Sequence, residues 1–259
     1  MKSFIKKVVG KVLYPIAIRT GYQKIIESKA SVSEGSKDFL LNNFYDSLRY
    51  IGLPVKHIVD IGANHGTWTR KALQYFPDAY FTLLEPQNWL QEHIKDLLDS
   101  NNKIRFHGVG AGEKEGSFKF TIVDRDDSCS FRYTEEEASQ NGYRQIEIPV
   151  VTLNGLLKNS TVPIPDIIKI DAEGLDMDVI KGASDYFGKT EIFMVEAGVM
   201  ASELPNSVLS IANYMDSIGY KLYDITDLNR TVKHNALWLV ELVFVMKNGI
   251  IDSKVNSYA

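Results

Sequence analysis

The 259-residue chain is short of several features that would place it quickly in a class. It has one cysteine, Cys129, so no internal disulfide can form and a reducing compartment fits. No apolar run approaches the roughly 18 residues that a membrane-spanning helix needs. The net charge of -4 lacks the positive surplus of a protein that coats nucleic acid, so no nucleic-acid partner is expected. Internal repeats and low-complexity linkers are missing, which leaves a single domain as the economical organisation. A hydrophobic content of 44% and a charged content of 24% are ordinary globular values, enough for a sizeable core.

The first 26 residues contain no acid, while Lys2, Lys6, Lys7, Lys11, Arg19 and Lys24 are basic. Phe4, Ile5, Val8, Val9, Val12, Leu13 and Ile16 recur at roughly helical spacing, and Pro15 would kink a helix that continued through it. One reading is a helix packed on its own domain or on the second subunit of a homodimer. The other is an interfacial helix touching anionic lipid, which would put a cytoplasmic protein at the inner face of the membrane. The expected division is a basic amphipathic segment at 1–34, a main domain at 35–250 and a tail at 251–259.

From Asp38 to Tyr50 the apolar spacing predicts an amphipathic helix, stopped by Gly52 and Pro54. Strands and helices then alternate. Strands are expected at 57–61, 80–84, 104–109, 167–170 and 192–195, and helices at 67–75, 88–98, 175–181 and 207–218. An insertion at about 116–151 breaks the alternation with two antiparallel-like segments, 117–123 and 146–151, around a polar stretch from Asp124 to Gly142. Segments 221–225 and 237–246 read as a closing antiparallel pair. Such an order implies a doubly wound α/β domain with a mainly parallel sheet, its ligand beyond the carboxyl ends of the strands.

The richest stretch is Val59-Asp60-Ile61-Gly62-Ala63-Asn64-His65-Gly66 followed by Thr67. Glycines between a strand and a helix allow a tight turn and close approach of backbone to a ligand. The dinucleotide fingerprint is incomplete, because Asn64 stands where a middle glycine would be. Glu85, followed by Pro86, ends the second strand about 20 residues beyond the loop, where an acid can accept hydrogen bonds from ribose hydroxyls.

These residues resemble the cofactor site of class I methyltransferases. The run Ile168-Lys169-Ile170-Asp171-Ala172-Glu173-Gly174, followed by Val179-Ile180-Lys181-Gly182-Ala183, resembles the FkbM family more narrowly, and the likeness extends from about Asp38 to about Met246. The resemblance implies a Rossmann-like sheet of order 3-2-1-4-5-7-6 with strand 7 antiparallel. It also implies O-methylation, with S-adenosyl-L-methionine as donor, of a hydroxyl on a sugar, glycan precursor or other small molecule. Asp60, Gly62, Ala63, Asn64, Gly66, Thr67, Glu85, Pro86, Gly110 and Asp171 are the expected cofactor residues. Asp126-Asp127-Ser128-Cys129-Ser130 is loosely similar to the family's serine-rich loop. Asn154 departs from the pattern, since the family usually has Asp there.

Asp171, Glu173 and Lys169 are the expected catalytic residues, at the end of the fourth strand. Asp171 can act as base, metal ligand or cofactor contact, and Glu173 as helix cap or acceptor-facing acid. Lys169 lies in an otherwise apolar run and needs a carboxylate partner, for which Glu196 is the candidate. The result would be a Lys169–Asp171–Glu196 cluster under the acceptor hydroxyl, or a structural ion pair. A divalent metal such as Mg²⁺ stays open as an alternative, since Asp171 and Glu196 end neighbouring strands. No metal ligands are assigned, because two carboxylates do not make a site and Asn154 removes one candidate third. His65 reads as loop filler and His107 as a strand residue. Arg132, Tyr133 and Arg144 are candidates to touch an anionic acceptor, and the insertion from Asp124 to Gly142 is expected to cover the acceptor. The rival readings are a nicotinamide-dependent oxidoreductase, disfavoured by the missing glycine and the lack of a Tyr-x-x-x-Lys pair, and a noncatalytic binding or membrane-docking module.

Overall fold

The computed structural model describes residues 38–200 and 205–255. The basic segment and its two readings lie outside the described residues. Helix α1 (Phe39–Ile51) buries Leu41, Phe44, Tyr45 and Leu48, spaced so that one stripe faces the domain. It ends at Gly52, whose φ of +72° and amide bond back to Leu48 and Arg49 close the last turn. Tyr45 packs α1 onto the next helix through rings of Trp68, Tyr75 and Phe76, with centroids 6.1, 4.9 and 5.5 Å away.

The sheet strands are β1 (His57–Ile61), β2 (Tyr80–Leu84), β3 (Ile104–His107), β7 (Ile167–Ile170), β8 (Ile192–Gly198), β9 (Tyr220–Arg230) and β10 (Leu237–Met246). The short strands β4 (Gly110–Ala111), β5 (Gly116–Ile122) and β6 (Arg144–Val151) make a separate three-stranded sheet, ordered β4-β6-β5. The main sheet runs β3-β2-β1-β7-β8-β10-β9. All its pairings are parallel except those of β10 with β8 and β9. This is the 3-2-1-4-5-7-6 order expected from the resemblance, with β10 as the antiparallel strand.

Strands β1 and β7 are buried along their whole length, as continuous apolar strands covered on both faces must be. One face packs on α1 and α2 (Thr67–Tyr75), the other on α6 (Asp176–Lys181) and α7 (Val208–Ser217). Between them in the chain lie α3 (Lys95–Ser100), α4 (Glu135–Gln140) and α5 (Leu153–Leu157), and a last short helix, α8 (Ile250–Lys254), follows β10. Ile251 of α8 is fully buried and its amide donates to Glu191 Oε1 at 2.7 Å, so the packed domain extends past the expected boundary at 250.

Three local expectations differ. The segment 88–98 is a 3-10 helix, Asn88–Ile94, running into α3 rather than one α-helix. The polar stretch 124–142 contains α4, started by a reciprocal cap in which Thr134 Oγ1 accepts the Glu137 amide and Glu137 accepts the Thr134 amide. Finally, β9 continues to Arg230, well beyond the apolar segment that marks its start. No helix among the described residues is long and apolar enough to cross a membrane.

Candidate active site

The carboxyl ends of β1, β2 and β7 meet at one place, and the glycine loop is built against its neighbour there. Gly62 has φ +74°, and a Cβ on it would lie 1.8 Å from the carbonyl oxygen of Asp171. Only glycine allows β1 and β7 to diverge while their following residues touch. Asn64 is also left-handed, φ +46°, a conformation asparagine tolerates better than most residues. Its amide donates to Glu85 Oε2 at 2.8 Å, and the Gln87 amide donates to Glu85 Oε1 at 3.0 Å. Glu85 is therefore aimed by two backbone donors. Burial pushes its carboxyl above the usual range, and those amides pull it back.

Glu85 opens into a cleft that is partly open to solvent. Gly62, Asn64, Pro86, Gly110, Asp171 and Glu173 line it, together with an apolar flank that includes Leu84, Val109, Phe120 and Phe131. Gly110 makes room for protein as well, since a Cβ there would meet the Phe131 ring at 2.8 Å. Of the other expected cofactor residues, Asp60, Ala63, Gly66 and Thr67 do not line this cavity. Gly66 lets α2 start close to Ile94, where a Cβ would come within 2.7 Å.

Insertion residues Asp126, Asp127, Cys129 and Phe131 line the same cavity, so the insertion borders the space beside Glu85 and the glycine loop. Two bonds tether it there: His65 Nε2 to Asp126 Oδ2 at 2.7 Å, and Gln87 Nε2 donating to the Asp126 carbonyl at 2.8 Å. His65 is thus a bridge between the glycine loop and the insertion, not loop filler. Its ring also stacks on His93 at 4.2 Å. Arg132 lies over Gly174, where a Cβ would fall 2.0 Å from its Cγ. Tyr133 packs edge-on against Tyr143 at 5.6 Å, and Arg144 and His107 lie outside the cavity wall.

A second, larger cavity lies beyond Asp171 towards α1, α2 and β9. Asp171 lines both spaces. Lys169, Glu196, Asp227 and Glu241 also line the second one, while Trp68 and Leu41 give it an apolar side. The acids follow from register: Glu241 pairs across with Glu196 on one side and with Asp227 on the other.

Lys169 is 4% exposed; of its expected partners it meets Asp171 but not Glu196, whose place Asp60 takes. Nζ is 3.4 Å from Asp60 Oδ1, 3.3 Å from Asp171 Oδ2 and 3.4 Å from the Gly62 carbonyl oxygen; no ion pair with Glu196 forms. Asp60 and Lys169 are neighbours in the β1–β7 register, which explains the choice. Fully buried Asp60 also accepts from Thr69 Oγ1 on α2. Burial works against the lysine's charge, but Asp171, Asp60 and Glu241 outweigh it and hold the ammonium above its ordinary value. Lys169 is a fixed cation and not a base.

The surrounding acids respond oppositely. Burial first, then repulsion from Asp171, pushes Glu173 up to about 8 and Glu196 well upward as well. Burial also raises Glu241 to about 7, against the pull of Lys169. Glu173, at φ +47°, caps no helix; α6 begins without a side-chain cap. These raised groups hold protons in the folded protein that the unfolded chain has released by about pH 5, so stability falls as pH rises through their folded values. Thermal unfolding should show the midpoint dropping by about 5 °C between about pH 6 and about pH 9, with Glu173→Gln flattening the profile. A midpoint that rises over that interval contradicts the assignment.

Asn154 lies away from both cavities: its Nδ2 donates to Ser184 Oγ at 2.9 Å and its Oδ1 accepts the Asp185 amide at 3.0 Å, pinning a turn. Sequence reasoning passed over Glu241, Asp227, Asp176 and Asn206. Glu241 carried a usable signal, a lone charge inside an apolar strand, the same one that marked Lys169. Among the described residues no group of three or more His, Cys, Asp or Glu side chains is arranged to hold a metal ion.

Comparison with known proteins agrees with the geometry. Residues 60–222 match the model of the methyltransferase FkbM domain. The 2-O-methyltransferase NoeI of Sinorhizobium fredii is 23% identical over 150 residues, covering 54% of this chain and 62% of that protein. Methyltransferase 1 of Beauveria bassiana is 22% identical over 145 residues, covering 49% of this chain and 58% of that one. The chain thus spans about three-fifths of the length of these curated relatives. A solved FkbM methyltransferase from Methylobacillus flagellatus is 19% identical with a TM-score of 0.48, over 74% of this chain and 45% of its own. With the matched region running from Asp60 of the glycine loop into β9, the chain belongs to the FkbM methyltransferase domain family.

Proposed function

We propose that the chain transfers a methyl group from S-adenosylmethionine to a hydroxyl oxygen of a sugar, glycan precursor or other small metabolite in the cytoplasm. The observation that carries this reading is the position of Asp171, a wall residue of both cavities. The donor set of the smaller cavity fits the cofactor: a buried, aimed carboxylate for the ribose, a glycine loop, and an apolar slot between Val109, Phe120 and Phe131 for the base. When bound there, S-adenosylmethionine supplies an electrophilic methyl on a sulfonium whose departure leaves a neutral thioether. The larger cavity, bordered by carboxyls and by Trp68, suits a hydroxylated acceptor. The name of the NoeI relative, a 2-O-methyltransferase, favours oxygen as the atom methylated.

The chain's own residues would divide the work as follows. Lys169 fixes Asp171 through Oδ2, leaving Oδ1 without a hydrogen-bond partner among the described residues. Asp171 would orient the acceptor hydroxyl and take its proton as the new O–C bond forms. Glu173, protonated near neutral pH, would present a hydrogen-bond donor to the cofactor side. The insertion, latched by His65 and Gln87, would keep water out of the smaller cavity.

Calorimetric titration with S-adenosylhomocysteine tests the reading. The wild-type chain should bind, and Glu85→Ala should bind roughly 10- to 100-fold more weakly, the loss expected for hydrogen bonds to a buried charge. Absence of binding by folded wild-type protein rules the reading out.

A further inference from the structure

The loop that carries Asp171 and Glu173 into the smaller cavity has two consecutive residues in the left-handed region, Glu173 at φ +47° and Gly174 at φ +106°. Such a bend does not hold itself. Beneath it lies Asp176, fully buried, whose Oδ1 accepts the Ala172 amide at 2.8 Å and whose Oδ2 accepts the Gly174 amide at 3.3 Å. The two amides flank Glu173. Asp176 Oδ2 is gripped in turn by Nδ2 of Asn206 at 3.0 Å, and the Asn206 carbonyl accepts the amide of Gly198 at the end of β8. One carboxylate therefore ties the loop after β7 to the end of β8, the strand that carries Glu196.

We infer that Asp176, held by Asn206, is a positioning residue that shapes the 171–174 loop so that Asp171 and Glu173 face the cofactor. The inference rests on reading the smaller cavity as the S-adenosylmethionine site. The donors to Asp176 are neutral N–H groups, and its neighbours Asp171, Glu173 and Glu196 are acids, so the carboxylate is held at a cost that burial and repulsion both impose. The return is geometric: a short acceptor that satisfies both amides of a strained turn at once.

Asp176→Asn keeps the shape but presents an N–H to one of the donors, and Asn206→Ala removes the outer grip. For both variants, S-adenosylhomocysteine titration should show about tenfold weaker binding, and amide exchange should accelerate in the 171–175 segment while the rest of the chain is unchanged. Ile211→Ala in the buried face of α7 is the control for simple destabilisation, and it should keep wild-type affinity. If Asp176→Asn fails to fold, Asn206→Ala carries the comparison. Wild-type affinity in both variants, or exchange that accelerates throughout the chain, overturns the inference. If the wild type itself does not bind, the cofactor reading fails instead, and the exchange pattern still decides whether Asp176 holds the loop.

Discussion

Replacing Lys169 by methionine should destabilise the fold by about 3–5 kcal/mol, seen in thermal unfolding as a fall of roughly 6–20 °C. The side chain is nearly isosteric, so lost packing does not account for the effect. What is lost is the cation between Asp60 Oδ1 and Asp171 Oδ2. Asp60 is fully buried, and its Oδ1 has no hydrogen bond to fall back on. Removing one partner of a buried pair costs more than the pair contributes, because the survivor keeps its desolvation penalty. The variant Asp60→Asn in the Lys169→Met background should therefore recover part of the loss, and a double-mutant cycle in urea would measure the coupling. A single-variant midpoint within about 2 °C of wild type would show that Lys169 is not the counter-ion of this site.

The same cluster shows where sequence is readable and where it stops. Strands β1, β2, β7 and β8 are legible because strands buried on both faces are mainly apolar runs, and a charge inside one stands out. Lys169 stood out in this way. Asp171 beside it was legible too, but its second partner was not, because sequence order offered Glu196 on the following strand, whereas the β1–β7 register puts Asp60 opposite the lysine. Register between strands more than 100 residues apart has no local signature. Glu241 was legible by the rule that found Lys169, and the Thr134–Glu137 pair by the capping-box pattern. Asp176 and Asn206 were not legible, since an acid in the first turn of a helix and an asparagine before the next helix are both ordinary residues until the fold brings them within 3.0 Å. The place where the insertion docks was not legible for a related reason: a loop's target depends on tethers such as His65 to Asp126, which join residues 61 positions apart.

Gly62→Ala is expected to abolish S-adenosylhomocysteine binding, with affinity down by more than about 100-fold, and to lower the melting midpoint by several degrees. Two effects act together. Alanine at φ +74° is strained by about 1–2 kcal/mol whatever surrounds it. In addition, its Cβ would meet the Asp171 carbonyl at 1.8 Å, and backbone cannot swing aside as a flexible side chain does. The Asp171 amide is itself bonded to the Ile61 carbonyl at 3.1 Å, so relief must come from separating the ends of β1 and β7. That moves the glycine loop away from Asp171, the residue both cavities share. Gly188→Ala separates the two effects, since Gly188 has φ +69° but nothing within 4 Å of the added methyl. It should lose only the conformational share of the stability and keep full affinity. Equal behaviour of the two variants would mean that the close approach of Gly62 to Asp171 has no part in binding, and the geometry proposed for methyl transfer would lose its foundation.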